Sequence, residues 1–411
     1  MPDAQVVIVG AGPAGSSTAF FLAQAGIDVL VLDRAKFPRD KPCSEYLSPQ
    51  ASRVLDAMGA LDQIETSGAA QLTGMRVHAP NGACIHGEFG TVRGFRGYRD
   101  RGLAVRRTVL DEILLNRARV AGARIQESVR VTDVVRDSNN RVVGVTTLAN
   151  GMARTVSANV VIGADGLRSV VGRRLGLVRS SRWPRRIALV THYRNVRGIG
   201  AYGEMHVDRE GYMGVADVGN GLANVAVVVP VSRATEVAAD RTEFLESWIA
   251  ERPRIAEMFS DAERVDPVRA TGPFASAARR ACVPGAALVG DAADFFDPFT
   301  GEGIYAALHG GELVSRHVIN AMEEISRGRD GFHALKAYDA ERRSEFSGKW
   351  KVERIVGTVV AFPALLNRAA KVLSRRRDMA DLLVGVVGDF VPAREVLRPG
   401  YLLRLMLGPT S

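Results

Sequence analysis

The chain predicts an α/β fold: a Rossmann-like dinucleotide-binding domain, an inserted antiparallel β-sheet domain and a helical C-terminal region. Three observations carry this expectation. A strand, a glycine-rich turn, a helix and a second strand ending on an acid occupy the first 33 residues. Successive alternating strands with tight turns fill residues 185–275, and the last 60 residues are helical and basic. A length of 411 residues exceeds what one simple core organises. The expected division assigns 1–72, 98–184 and 277–350 to the dinucleotide-binding domain, 73–97 and 185–276 to the sheet domain, and 351–411 to a helical cap.

Val6 to Val9 is a charge-free, β-branched run suited to a buried parallel strand. Gly10-Ala11-Gly12-Pro13-Ala14-Gly15 follows, then a helix from Ser16 to Ala25 closed by Gly26. Ile27 to Leu32 reads as a second buried strand, and Asp33 stands 18 positions after Gly15. Gly10 permits the tight turn, Gly12 lets backbone N–H groups approach a pyrophosphate, and Gly15 lets helix and strand pack closely. The helix N-terminus faces the phosphates, and Asp33 can accept from a ribose hydroxyl. Gly198-Ile199-Gly200-Ala201-Tyr202-Gly203 repeats the GxGxxG spelling. No buried strand precedes it and no helix follows, so it reads as a turn and not as a second nucleotide site.

Asp33 to Cys43 forms a basic loop on the nucleotide side. Ser48 can cap a helix from Pro49 to Met58, ended by Gly59. Residues 73–78 and 83–88 alternate about Asn81-Gly82, a hairpin signal. Residues 90–104 are rich in Gly and Arg and read as a mobile connection. Thr108 opens an amphipathic helix with Leu110, Ile113, Leu114 and Ala118 on one face. Strands are expected over 123–136 and 141–156, then separately at Val160-Val161-Ile162, which runs into Gly163-Ala164-Asp165-Gly166. A short helix is expected over 167–176, four alternating strands between 187 and 231, and one helix over 241–258. Ala286 to Val289 returns as a buried strand ahead of Gly290-Asp291, and a long helix starts at Gly301.

Composition narrows the function classes. The net charge of +9 is scattered arginine, with no basic run interleaved with aromatics, which argues against nucleic acid. Cys43, Cys84 and Cys282 show no CxxC or metal spacing, so no metal site is expected and the setting reads as reducing and cytoplasmic. Residues 1–5 leave no room for a signal peptide. The longest apolar stretch, Ile355 to Leu366, is interrupted by Pro363 and falls short of the roughly 20 residues that span a bilayer. The basic tail, with Arg375-Arg376-Arg377, is expected to pack as a lid or cap, with a membrane-surface role as the alternative.

Four separated segments share one scheme. The N-terminal fingerprint resembles that of the FAD-dependent hydroxylase and reductase superfamily. Val105-Arg106-Arg107-Thr108-Val109-Leu110-Asp111 resembles its element in which an Arg heads the long helix, Gly163-Ala164-Asp165-Gly166-Leu167-Arg168-Ser169 its DG motif, and Gly290-Asp291-Ala292-Ala293 its GD motif. Lys41-Pro42-Cys43-Ser44 and Asp297-Pro298-Phe299-Thr300-Gly301-Glu302-Gly303-Ile304 look like the geranylgeranyl reductase branch, related to flavin-dependent halogenases and aromatic hydroxylases. The resemblance implies FAD, with Arg107 near its ribityl and pyrophosphate and Asp291 at the ribityl chain. The full set expected to hold FAD is Gly10, Gly12, Ala14, Gly15, Asp33, Arg34, Cys43, Arg107, Asp165, Gly290, Asp291, Pro298, Gly301, Glu302, Gly303 and Ile304. Pro298 and Gly301 to Ile304 bring free N–H groups to a helix start, which carries about half a positive charge. Aimed at the flavin pyrimidine edge, that charge would favour the reduced anion.

The second half departs from those relatives. The stretch Gly211-Tyr212-Met213-Gly214-Val215-Ala216-Asp217 has no Trp where halogenases carry WxWxIP, so halogenation is not expected. The aromatic-Trp-Phe-Pro pattern of geranylgeranyl reductases is absent there too, and Ser44 replaces the usual Gly. Acid–base candidates are Cys43, Glu45, Tyr46, His206, Tyr212, Asp217, Asp297 and Glu302, each weighed against a purely structural role, with Cys43, Glu45, Tyr212 and Asp297 put first. Cys43 reads as a small apolar neighbour, a redox thiol or a proton donor. The resemblance implies an FAD-dependent oxidoreductase acting on a large apolar small molecule in biosynthetic tailoring. First comes NAD(P)H- and O2-dependent hydroxylation through a flavin hydroperoxide. The alternatives are C=C reduction or dehydrogenation of the geranylgeranyl reductase type and a non-redox cyclising or binding protein built on FAD.

Overall fold

The computed structural model describes residues 2–180 and 185–408; the expected domain edge at 184, residue 1 and the last three residues lie outside the described residues. The first strand, Ala4–Val9, lies inside a sheet whose order is Cys282–Val283, Ala286–Leu288, Met152–Gly163, Ala4–Val9, Val29–Leu32, Arg124–Gln126. It pairs in parallel on both sides, Val6 with Val160 and with Val29. Both faces of such a strand are covered, so every residue but Gln5 is apolar and buried.

The helix Pro13–Gln24 packs on the long helix Gly303–Ser326 through small residues. Ser17 Oγ donates to Leu308 O at 2.7 Å, and Ser315 Oγ to Thr18 O at 3.2 Å. A Cβ at Gly311 would lie 2.8 Å from the Ser17 Cβ. This close approach brings the starts of both helices to one end of the sheet, where ligands of open α/β sheets bind.

A second sheet runs Glu263–Arg264, Arg186–Arg194, Ala223–Pro230, Gly211–Asp217, Tyr202–Asp208, Gly74–His78, Cys84–Glu88. It is antiparallel except where Tyr202–Asp208 runs parallel to Gly74–His78, which joins chain segments over 120 residues apart. One face packs Leu189, Met213 and Val227 against Leu245, Trp248 and Ile255. The other packs Val190, Met205 and Val228 against Val352, Leu366, Leu373 and Leu382 of the C-terminal helices.

The structure departs from expectation at five places. Met152–Gly163 is one strand, pairing antiparallel with Val142–Ala149 and then parallel with Ala4–Val9. Ser157-Ala158-Asn159 contains no Gly or Pro to break it. Residues 90–104 are not wholly a mobile connection: Gly102–Ala104 is a buried strand between Tyr46–Leu47 and Ala70–Leu72, with Leu103 opposite Leu47 and Gln71 and Ala104 opposite Tyr46 and Ala70. The helix expected over 241–258 breaks into Arg241–Ala250 and Pro253–Met258, since Pro253 cannot continue a helix and starts the next one. The helix after Ser48 begins at Ala51, whose N–H donates to Ser48 Oγ at 3.3 Å. The expected edge at 350/351 falls inside the 30-residue helix Phe332–Ala361.

No single helix among the described residues is long and apolar enough to cross a membrane; Phe332–Ala361 and Pro363–Leu373 meet at a 111° bend.

Candidate functional site

The turn of the fingerprint is held by backbone fit. Gly10 has φ +100°, and a Cβ there would lie 2.5 Å from Ala164 O. A Cβ at Gly15 would lie 1.8 Å from Gly10 O, so helix and strand meet without room for a methyl group. Asp33 braces the turn: its Oδ2 accepts from Ala11 N at 2.7 Å and its Oδ1 from Ala35 N at 2.8 Å. A carboxylate oxygen has two acceptor sites, so each keeps capacity for a ribose hydroxyl. Arg34 is exposed at the strand end.

From this turn a cavity runs past Gly12 and Ala14, along Gly290 and Asp291, to Gly301–Ile304 and the second sheet. Arg107, buried at the head of its helix, gives both Nε and Nη2 to Asp111 at 2.8 Å, and Arg39 Nη2 lies 3.0 Å from the same carboxylate. A Cβ at Gly12 would sit 3.3 Å from Arg39 Nη2 and 3.9 Å from Arg107 Nη2. Bare backbone at a helix N-terminus beside two fixed guanidiniums is the donor set a pyrophosphate requires. Lys41 Nζ lies 3.5 Å from Asp291 Oδ2, and Lys41, Pro42, Cys43 and Ser44 close the same cavity. At the far end the turn Pro298–Thr300 is capped by Asp297, whose Oδ1 accepts from Phe299 N at 3.0 Å. Gly301 follows at φ +71°, and a Cβ there would lie 2.9 Å from the Tyr46 ring. The long helix therefore starts at Gly303 and not at Gly301. An elongated dinucleotide with a planar head fits this cradle. Gly12, Ala14, Arg107, Asp291 and Pro298 to Ile304 would hold it.

Two expected site residues play other parts. Asp165, expected at the cofactor, spends its carboxylate on Ser169 Oγ at 2.5 Å, Val170 N at 2.6 Å and Val171 N at 3.3 Å. It starts a short helix and so fixes Ala164 and Gly166, which do line the cavity. Glu45, expected as an acid–base group, lies outside the cavity lining, is 1% exposed and has φ 61°. Its Oε1 accepts from Arg107 N at 2.7 Å, and its Oε2 from His192 Nε2 at 2.7 Å and Asn224 Nδ2 at 3.1 Å. His192 Nδ1 reaches Asp266 Oδ2 at 2.9 Å. Burial opposes the charge on His192, but Glu45 overcomes it and raises the imidazole pKa. Glu45 is thus a clamp between the nucleotide layer and the sheet.

Tyr212 and Asp297 do come together on the cavity wall. The buried Tyr212 hydroxyl donates to Asp297 Oδ1 at 2.7 Å, and Arg186 ion-pairs with Asp297 Oδ2. Burial, with the Asp297 charge, raises the phenol pKa, so Tyr212 stays neutral. Cys43 is half-buried and its Sγ accepts from Glu45 N at 3.4 Å. Glu302 is buried at the start of the long helix, with Lys349 Nζ 3.2 Å from its Oε2.

Sequence reasoning missed Arg186, His192, Asn224, Lys349 and Glu353. None sits in a motif, and Lys349 and Glu353, four apart, read as an ordinary solvated helix pair. The second GxGxxG leads only into the strand Tyr202–Asp208. A cluster of His78, Glu204 and His206 lies within 4.8 Å on the same sheet. Its imidazoles stack 4.5 Å apart at 12°, and both Nε2 atoms lie 3.3 Å from the same Glu204 oxygen.

A second groove adjoins the cavity. Met75, Val77, Met205, Val352, Leu383 and Leu405 are among its walls, and Met205 and Thr300 line both spaces.

The chain matches the model of the FAD binding domain family over residues 3–348. It is 30% identical over 394 residues to digeranylgeranylglycerophospholipid reductase 2 of Methanopyrus kandleri, covering 94% of this chain and 93% of that one. It is 29% identical over 396 residues to menaquinone reductase of Mycolicibacterium smegmatis, covering 94% and 92%. Its fold is similar to that of a flavoprotein/dehydrogenase from Cytophaga hutchinsonii, with a TM-score of 0.80, 23% identity and coverage of 98% and 96%. The glycine cradle, the paired guanidiniums and these likenesses agree: the chain belongs to the FAD binding domain family and is an FAD-dependent oxidoreductase of the geranylgeranyl reductase and FAD monooxygenase group.

Proposed function

We propose that this oxidoreductase saturates C=C bonds in the isoprenoid chain of a lipid or quinone, drawing electrons from NAD(P)H. The observation that carries this reading is the groove beside the flavin cavity, whose accessible surface is almost wholly apolar. A branched hydrocarbon chain needs such a slot, because every polar atom it covered would lose water without a partner. The names of the relatives above, a digeranylgeranylglycerophospholipid reductase and a menaquinone reductase, support the same substrate class. Reduction thereby moves ahead of the hydroxylation that the resemblance alone put first.

FAD supplies the hydride chemistry when bound. The residues of this chain supply the rest. The start of the helix Gly303–Ser326 offers its N–H groups at the cavity. Tyr212, Asp297 and Arg186 form a neutralised wall that leaves no free charge against the substrate. Glu45 with His192 holds sheet and nucleotide layer in register. The test is anaerobic incubation of the FAD-loaded protein and NADPH with digeranylgeranylglycerophospholipid or menaquinone in detergent micelles. A product heavier by two hydrogens per double bond is expected. Turnover that requires O2 and adds one oxygen atom would overturn the reading.

A further inference from the structure

The wall between the flavin cavity and the C-terminal helices holds more acid than base. Asp297, Glu302 and Glu353 line the cavity, and Asp389 lies behind Lys349. Two cations serve these four acids. Arg186 is ion-paired with Asp297, and Lys349 with Asp389. Glu302 has a share of Lys349 at 3.2 Å, and among the described residues no ion pair reaches Glu353. Tyr46 and Tyr305, which also face Glu302, are neutral phenols whose pKa burial has raised. Two acids left over beside one shared lysine cannot both carry charge; at least one holds a proton. Burial raises both carboxyls; Glu302 raises Glu353 further, while Lys349 and Glu353 pull Glu302 back down.

Their position is as informative as their charge. Glu302 stands between Gly301 and Gly303, the backbone expected to meet the flavin ring. Glu353 reaches the same cavity from the helix Phe332–Ala361. Of the acid–base groups put first, Tyr212 is tied to Asp297 and Glu45 is outside the cavity, while Cys43 lines it beside Pro42 and Ser44.

We propose that Glu302 and Glu353 form a protonated carboxyl pair that delivers the proton completing C=C reduction; this rests on the reductase reading. In the balanced step the alkene takes a hydride from the reduced flavin on one carbon, and the flavin is oxidised by two electrons. The hydride brings its own electron pair to the first new C–H bond, and the π pair, left on the other carbon, takes the proton in the second. The carboxyl O–H bond breaks and its electrons stay on the carboxylate, which solvent later reprotonates.

The test uses the full FAD-loaded chain and the variants Glu302→Gln and Glu353→Gln, which keep shape and hydrogen bonding. Without substrate at neutral pH, infrared spectra are expected to show a protonated-carboxyl carbonyl band in the parent protein that each variant loses or shifts. In anaerobic single turnovers of dithionite-reduced protein with digeranylgeranylglycerophospholipid micelles, each variant is expected to be slower by about 10²- to 10⁴-fold, and Glu353→Gln, which lies outside the flavin cradle, to keep the parent flavin absorbance and reduction. The parent rate should fall as pH rises through the pKa of the pair. Variants that keep the parent rate, or the parent band, overturn the pair. A parent protein that reduces no double bond overturns the reductase reading itself and takes the role of the pair with it, so the two failures are distinct.

Discussion

The two walls of the cavity are made by different means. The nucleotide wall is backbone: Gly12 and Gly303 bring main chain to the cavity, Gly10 and Gly15 let the turn close tightly behind it, and two guanidiniums are fixed by one carboxylate, Asp111. The substrate wall is side chains from four distant segments: Arg186, Tyr212, Asp297 and Lys349 with Glu353. The first wall fails when an atom is added. The second fails when a charge is removed.

The largest effect should come from the second wall. Arg186→Met leaves Asp297 buried with only the Tyr212 hydroxyl and the Phe299 N–H. The expected loss of stability is about 3–5 kcal/mol, read from urea unfolding. A loss below about 1 kcal/mol would mean that water already reaches that carboxylate.

Next comes the first wall. Gly15→Ala places a methyl group where Gly10 O stands, and about 3 kcal/mol of stability and most flavin absorbance should be lost on purification. Gly200→Ala, in the second GxGxxG, meets nothing within 4 Å and should leave both unchanged. Equal effects at the two sites would erase the distinction between a spelled motif and a built one.

The smallest effect sits between the walls. The folded pKa of His192 is raised above the ordinary value of 6.5, chiefly by Glu45 acting against burial. Its contribution to stability is therefore complete below about pH 6.5 and is lost as pH rises through the folded pKa. Urea midpoints of the parent protein should fall over that range, and Glu45→Gln should flatten the fall. An identical pH slope in the variant would show that the clamp is not charged.

This contrast also decides what the amino-acid order could reveal. Val6 to Asp33 was legible because close backbone approach demands glycine at particular spacings, and spacing is visible in a linear chain. Asp291 and Gly301 to Ile304 were legible for the same reason. Glu45 was visible as an acid near the flavin loop, but its role was not, because His192 and Asn224 meet it from 147 and 179 residues away. Asp165 was placed in the right loop, yet its carboxylate accepts from the first N–H of the helix that starts five residues on, at Val170, and serves that helix first. Lys349 and Glu353 carry no local signal at all. Only the fold of Phe332–Ala361 across the cavity makes them part of a site.

That 30-residue helix is about 45 Å long at 1.5 Å per residue. Its first half belongs to the core of the parallel sheet, with Leu335 buried and the Tyr338 hydroxyl donating to Leu288 O at 2.8 Å. Its second half belongs to the other core, through Val352 and Val360. Neither core can lose its order without stripping apolar cover from one end of a shared rod. The two halves of the molecule therefore melt as a single cooperative unit, and a cap that loosened alone would have to snap the helix between Phe346 and Val352, beside Lys349.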